Sequence, residues 1–256
     1  MRFVRLAAIG WWLQLKMRSR SAFDGFLSIV YPMFFATTVF FIYRQQADTQ
    51  TLVAAAVGAS VLGMWSAVAT TASMALQGER RQGTLELLVA APAPFAVLLV
   101  PITLSMATIG LYSLVATLLW GRFAFGIPVS LADPLAFSVA CLVTALSVST
   151  LGFVLAVSAV RYRSAWALGT AFELPVWLIC GFLIPIGQLP DWVRPVSWLV
   201  PTTWGVGAIK GAAAGGAIWG DVALCVLVSI GYAVVGTLLG HRLLESARAR
   251  ATLALS

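Results

Sequence analysis

The chain has 256 residues, is 61% hydrophobic and only 10% charged, and carries a formal net charge of +7, with a mean hydropathy of +0.95. An ordinary globular domain is about half apolar and about a quarter charged, so this composition excludes an ordinary soluble fold. The apolar runs are also too long for a soluble core, because roughly 18 or more apolar residues suffice to cross a bilayer.

Residues 1–22 read as an amphipathic helix lying on a membrane surface. At about 100° per residue, Arg2, Arg5, Lys16 and Arg20 fall in one sector and Phe3, Leu6, Leu13 and Met17 form the adjoining stripe. Trp11 and Trp12 suit the headgroup level. The segment reads equally as an elbow that touches a partner or as a basic tail that sets topology. Polar residues interrupt any signal-peptide core, so the start of the chain is expected to stay in the mature protein.

Six apolar runs follow, near Phe26–Tyr43, Leu52–Gln77, Phe95–Trp120, Leu135–Val160, Trp166–Ile184 and Val222–Leu244. In hydrocarbon every backbone group needs an internal partner, so these are helices, and the alternation of a β-barrel is absent. The expected fold is an all-α membrane protein of one domain, residues 1–256, with six transmembrane helices. With both termini cytoplasmic, the inner segments hold Arg2, Arg5, Lys16, Arg18, Arg20, Arg80, Arg81, Arg161, Arg163, Arg242, Arg248 and Arg250. The outer ones hold only Arg44, Arg122, Arg194 and Lys210. The positive-inside rule favours this orientation, and the basic excess then reports topology rather than nucleic-acid binding.

The second run places Ala55, Ala59, Gly63, Ala67, Thr71 and Ala75 at every fourth position, a stripe that lets helices approach closely within the chain or at a dimer seam. Between the second and third runs lies a charged insert, residues 78–94. Gly78 and Gly83 can break the helix there, Thr84 can cap a new one and Glu86 favours its positive end. Leu85, Leu87 and Leu88 supply a buried face, and Pro92 stops propagation. A rigid polar element held just outside a membrane fits a docking surface for a second protein, or a plain connector.

Glu173 stands inside the fifth run, where a carboxylate costs at least a few kcal/mol unless paired, hydrated or protonated. It lines a substrate path, bonds another helix, or lies nearer an interface if the span is shifted. Residues 185–204 then combine Pro185, Pro190, Pro195 and Pro201 with Trp192, Trp198 and Trp204. This predicts one or two short helices re-entering the outer leaflet, a candidate lid. No phosphate-binding loop or H-E-x-x-H motif occurs, and His241 is the sole histidine. Cys141, Cys180 and Cys225 fall inside the runs and read as packing residues, so no catalytic and no metal site is expected.

At the charged insert the chain resembles the permease subunits of ABC-2-type ABC transporters. Their E-R-E-x-G-T-L-E-x-L-L-x-x-P pattern stands here as Glu79-Arg80-Arg81-Gln82-Gly83-Thr84-Leu85-Glu86-Leu87-Leu88-Val89-Ala90-Ala91-Pro92, with Arg81 in place of the second acid. The family's L-P-x-W and Pro-Thr pair appear as Leu189-Pro190-Asp191-Trp192 and Pro201-Thr202. The resemblance implies a coupling helix seated on a cytoplasmic ATPase through Glu79, Arg80, Arg81, Gly83, Thr84, Leu85, Glu86 and Leu88. It implies an interface helix bearing Arg2, Arg5, Trp11, Trp12, Lys16 and Arg20, and a re-entrant outer gate at Leu189, Pro190, Trp192, Pro201 and Thr202. Two ATPases and a second permease, identical or related, would complete an exporter in the inner membrane. ATP and Mg would be bound by the ATPases and no cofactor by this chain. The cargo would be a drug, a lipid or a lipid-linked molecule. An ion-driven carrier using Glu173 and a non-transporting scaffold are the rival readings.

Overall fold

A computed structural model describes residues 2–19, 30, 33–34, 36–41, 49–81, 83, 95–127, 131–158, 171, 175–182 and 186–249. Among the described residues the regular structure is helical and no strand occurs. The elements are α1 (Arg2–Ser19), α2 (Thr49–Arg81), α3 (Phe95–Phe125), α4 (Pro134–Ser158), a 3₁₀ turn (Ile186–Gln188), α5 (Arg194–Trp198), α6 (Pro201–Ala214) and α7 (Trp219–Ala249).

Among the described residues, three stretches are long and apolar enough to cross a membrane: Val100–Phe125 in α3, Pro134–Ser158 in α4 and Trp219–Arg242 in α7. Leu52–Val68 of α2 is a shorter apolar helix. Of the six expected spans, the first, fourth and fifth fall partly outside the described residues.

One local reading is corrected. Gly78 does not break the helix, because α2 runs through it to Arg81. A glycine inside a helix costs only about 1 kcal/mol relative to alanine, too little by itself to end one. Glu79, Arg80 and Arg81 therefore extend α2 instead of opening a separate element. Gly83 does depart from helical geometry, with φ of 70°.

Local chemistry explains the other boundaries. Asp133 caps α4, its Oδ1 accepting from the Leu135 and Ala136 N–H groups at 3.0 Å each. Pro134 follows where no amide donor is needed. At the other end of α6, Gly215 takes the left-handed conformation. The Gly216 N–H then reaches the Gly211 carbonyl at 2.8 Å, closing the helix with a Schellman pair.

Packing is centred on α4, which touches α2, α3, α6 and α7, while α2 lies along α3 and α1 rests on α3. The main core joins Val61 and Met64 of α2, Met106 of α3, Ala145 and Val148 of α4, Ile209 of α6, and Phe182. A smaller cluster sets Ala36, Val39 and Phe40 against Ala55, Ala56 and Ala59. Part of the small-residue stripe thus serves packing within the chain. The opposite face of α7, with Leu227, Val234, Val235 and Leu238, is exposed. An apolar face of that extent suits hydrocarbon, not water.

The α4–α7 contact is close because Gly236 has no side chain: a Cβ there would lie 2.6 Å from the Phe153 ring. Gly231, on the same helix, faces open space. Gly236→Val should therefore lower stability by about 1–3 kcal/mol through overpacking. Gly231→Ala should leave it unchanged or slightly raised. Thermal melts of the purified protein in detergent check both.

Candidate functional site

The outer segment is built as a compact knot. Arg194 holds its first half: Nη2 donates to the Gly187 carbonyl at 2.9 Å and Nη1 pairs with Asp191 at 3.0 Å. Pro195 opens α5 and Pro201 opens α6, each in the first turn where its missing N–H is harmless. The Thr203 hydroxyl donates to the Ser197 carbonyl at 2.6 Å and the Trp204 indole to the Trp198 carbonyl at 3.0 Å, folding α5 back on α6. The short helices expected from residues 185–204 are present, though α6 continues to Ala214.

The expected gate residues divide between two environments. Pro190 and Trp192 are exposed, Leu189 is half-buried, and Pro201 and Thr202 are buried. Trp198 and Leu199 are exposed beside them. Thr202 forms a specific tie across the fold, its hydroxyl donating to Cys180 Sγ at 3.4 Å.

Lys210 is a site residue that sequence reasoning counts only as an outer charge. It lies two turns beyond Thr202 on α6, and its Nζ donates to the carbonyls of Gly181 at 2.7 Å and Phe182 at 3.2 Å. Those carbonyls lie just beyond the helical stretch 175–179, on the side of its negative dipole end, which a cation complements. Burial pushes the ammonium down from 10.5 to about 8. The Phe182 carbonyl also presses on α2 at Gly58, where any Cβ would collide with it. The legible signal is one lysine within an otherwise uncharged helix; its partners lie too far away in sequence to be read.

At the other end of the chain, α1 docks on α3. The Trp11 indole donates to the Thr108 hydroxyl at 3.0 Å, and Gly10 abuts Pro101. Trp11 is therefore a packing residue with a polar tie, whereas Arg5, Trp12 and Lys16 are exposed. Leu6, Ile9, Leu13 and Met17 are exposed as well. Of Arg2 only the helical backbone is described, and Arg20 lies outside the described residues.

In the charged insert, Glu79, Arg80 and Arg81 form the last turn of α2 and Gly83 is exposed. Thr84, Leu85, Glu86 and Leu88 lie outside the described residues, as does Glu173. Among the described residues, α1 rests on α3, whereas α6 of the outer segment packs on α4 and α7.

The chain matches the family model for the ABC-2 type transporter membrane domain over residues 6–213. It belongs to the ABC-2 transporter family. As an ABC-2 permease it is an integral membrane protein and not itself an ATPase, and the family associates with ABC ATPases. No curated protein matches it. The match spans the insert and the outer segment, and α7 lies beyond it.

Nothing in the ABC-2 permease's described residues gathers a metal-binding cluster, and its cysteines are free and buried. A shallow groove of about 200 Å³ runs between α4 and α7, lined by Leu146, Thr150, Val226 and Ile230 among others. The hydroxyls along it are spent: Ser147, Thr150 and Ser229 each donate to a carbonyl of their own helix.

Lys210 gives a pH signature. Its folded value lies below its ordinary 10.5, so between about 8 and 10.5 the folded protein binds fewer protons than the unfolded one. Stability should rise with pH across that window and the rise should vanish in Lys210→Met. The chain has just two lysines, Lys16 and Lys210. Carbon-13 NMR of the reductively methylated protein should therefore show the Lys210 signal titrating near 8, assigned by its loss in Lys210→Met.

Proposed function

We propose that this chain is the membrane-spanning subunit of an ATP-driven exporter of hydrophobic or amphipathic cargo, such as a drug, a lipid or a lipid-linked molecule. Two such permeases, identical or related, would enclose the path, and two cytoplasmic ABC ATPases would bind the ATP and Mg. The observation that carries this reading is the family match over residues 6–213, which includes the Glu79–Pro92 motif.

In this mechanism the ATPases close on ATP, and the insert after α2 transmits the movement to the helices. A stiff element suits this, because an element that moves as a unit carries displacement to a distant site. The central path closes inward and opens past Leu189–Thr202. The helix α1, with Arg5 and Lys16 beside an exposed apolar stripe, lies in the cytoplasmic headgroup layer. An apolar cargo fits a chain whose interior hydroxyls are largely bonded to their own helices.

Co-purification with an ABC ATPase, followed by hydrolysis and transport assays across a panel of amphipathic compounds, tests the assignment. Glu79→Lys combined with Glu86→Lys should leave a folded, monodisperse permease in which hydrolysis no longer drives transport. Undiminished transport in that double variant, or activity with no ATPase bound, counts against the reading.

A further inference from the structure

The helix α2 has 33 residues, a rod of about 50 Å at 1.5 Å per residue. It passes through Gly58, Gly63 and Gly78 unbroken. Its last turn carries Glu79, Arg80 and Arg81, the opening residues of the motif. Near its other end, Gly58 receives the Phe182 main chain so closely that no side chain fits between them.

Three elements meet at that point. The turn Cys180–Phe182, with Gly181 at φ of 76°, lies between α2 and α6. Lys210 of α6 reaches across and bonds two successive carbonyls of the turn, and its Cε would lie 3.7 Å from a Cβ on Gly58. Thr202, two turns earlier on α6, ties the same turn through Cys180. Phe182 and Cys180 are fully buried there. The same helix α6 carries α5 through the Thr203 and Trp204 bonds. Hydrogen bonds from a charged donor are stronger than neutral ones, and no apolar side chain could hold both carbonyls.

We propose that Lys210 is a positioning residue that pins the outer segment to α2 at Gly58, making α2 the rod that carries displacement from the motif to the outer gate. The source of the displacement rests on the ATP-driven reading above; the joint itself rests on the geometry of α2, the turn and α6. A continuous α2 is essential to it, since a break at Gly78 would separate the motif from the rod.

Cys180, buried under the joint, is a native reporter, and Cys141 and Cys225, buried elsewhere, are internal controls. The full-length permease, co-expressed with its ATPase in membrane vesicles, is treated with N-ethylmaleimide, and each cysteine peptide is quantified by mass spectrometry. In Lys210→Met, labelling of Cys180 should rise by about tenfold or more, because two charge-assisted bonds that oppose local opening are gone. Cys141 and Cys225 should keep wild-type rates. Lys210→Arg, which retains the donors, should return Cys180 toward wild type, a rescue that loss of packing alone would not give. Gly58→Ala should have the same selective effect by pushing the Phe182 carbonyl off α2. Wild-type labelling of Cys180 in both Lys210→Met and Gly58→Ala overturns the proposal. So does equal loosening of all three cysteines in both, which a joint confined to one corner cannot cause. If only Lys210→Met loosens all three, Gly58→Ala decides by the same measure. Selective labelling in the variants, with wild-type Cys180 unresponsive to ATP, leaves the joint standing and counts against the ATP-driven reading.

Discussion

A polar group inside hydrocarbon must find its partner within the protein, and that requirement shapes this permease more than any other. Most interior hydroxyls meet it locally. Ser60, Ser105, Thr117, Thr144 and Ser149 each donate to a carbonyl three or four residues earlier in their own helix. A helix satisfied this way asks nothing polar of its neighbours. Its contacts with them are apolar side chains and close glycine approaches, which resist separation but oppose sliding weakly. Polar ties between separate elements then acquire disproportionate influence. They include Trp11 to Thr108, Trp120 to Thr37, Thr202 to Cys180, and Lys210 to Gly181 and Phe182. The last two converge on the turn at Cys180–Phe182, beside the outer segment.

This distribution suits a transporter subunit. The permease has to change shape without exposing backbone to lipid, which favours rigid helices moving as bodies. Where such bodies must move together, a tie is needed that neither slides nor dissolves. A half-buried ammonium on two buried carbonyls meets that need, since removing it takes a charged donor from both oxygens in a place that water reaches poorly.

Much of the fold is legible in the sequence because lipid imposes length and composition so strictly. The runs near Phe95, Leu135 and Val222 are helices of spanning length, and prolines and tryptophans correctly mark the short helices of the outer segment. What stays hidden depends on tertiary approach. Gly78 looks like a breaker because local propensity says so, yet α2 runs through it to Arg81. Gly58 sits one position off the alanine stripe and looks unremarkable, yet it receives the closest backbone contact of the joint. Lys210 can be counted as a charge from the sequence. Its burial and its carbonyl partners, nearly 30 positions away, cannot be read there. Trp11 docks on α3 while Trp12 stays exposed, a difference between neighbours that the sequence does not show.

The contact between Gly10 and Pro101 has a mechanical corollary. Proline lacks an amide hydrogen, so the carbonyl one turn earlier in α3 has no donor from it, and the helix is most pliable there. The structure seats the surface helix at that weak point. A push on α1 is thereby applied where α3 flexes at least expense. The first helix thus has a direct mechanical hold on the helix bundle, at the one position of α3 that cannot stiffen itself by an amide bond.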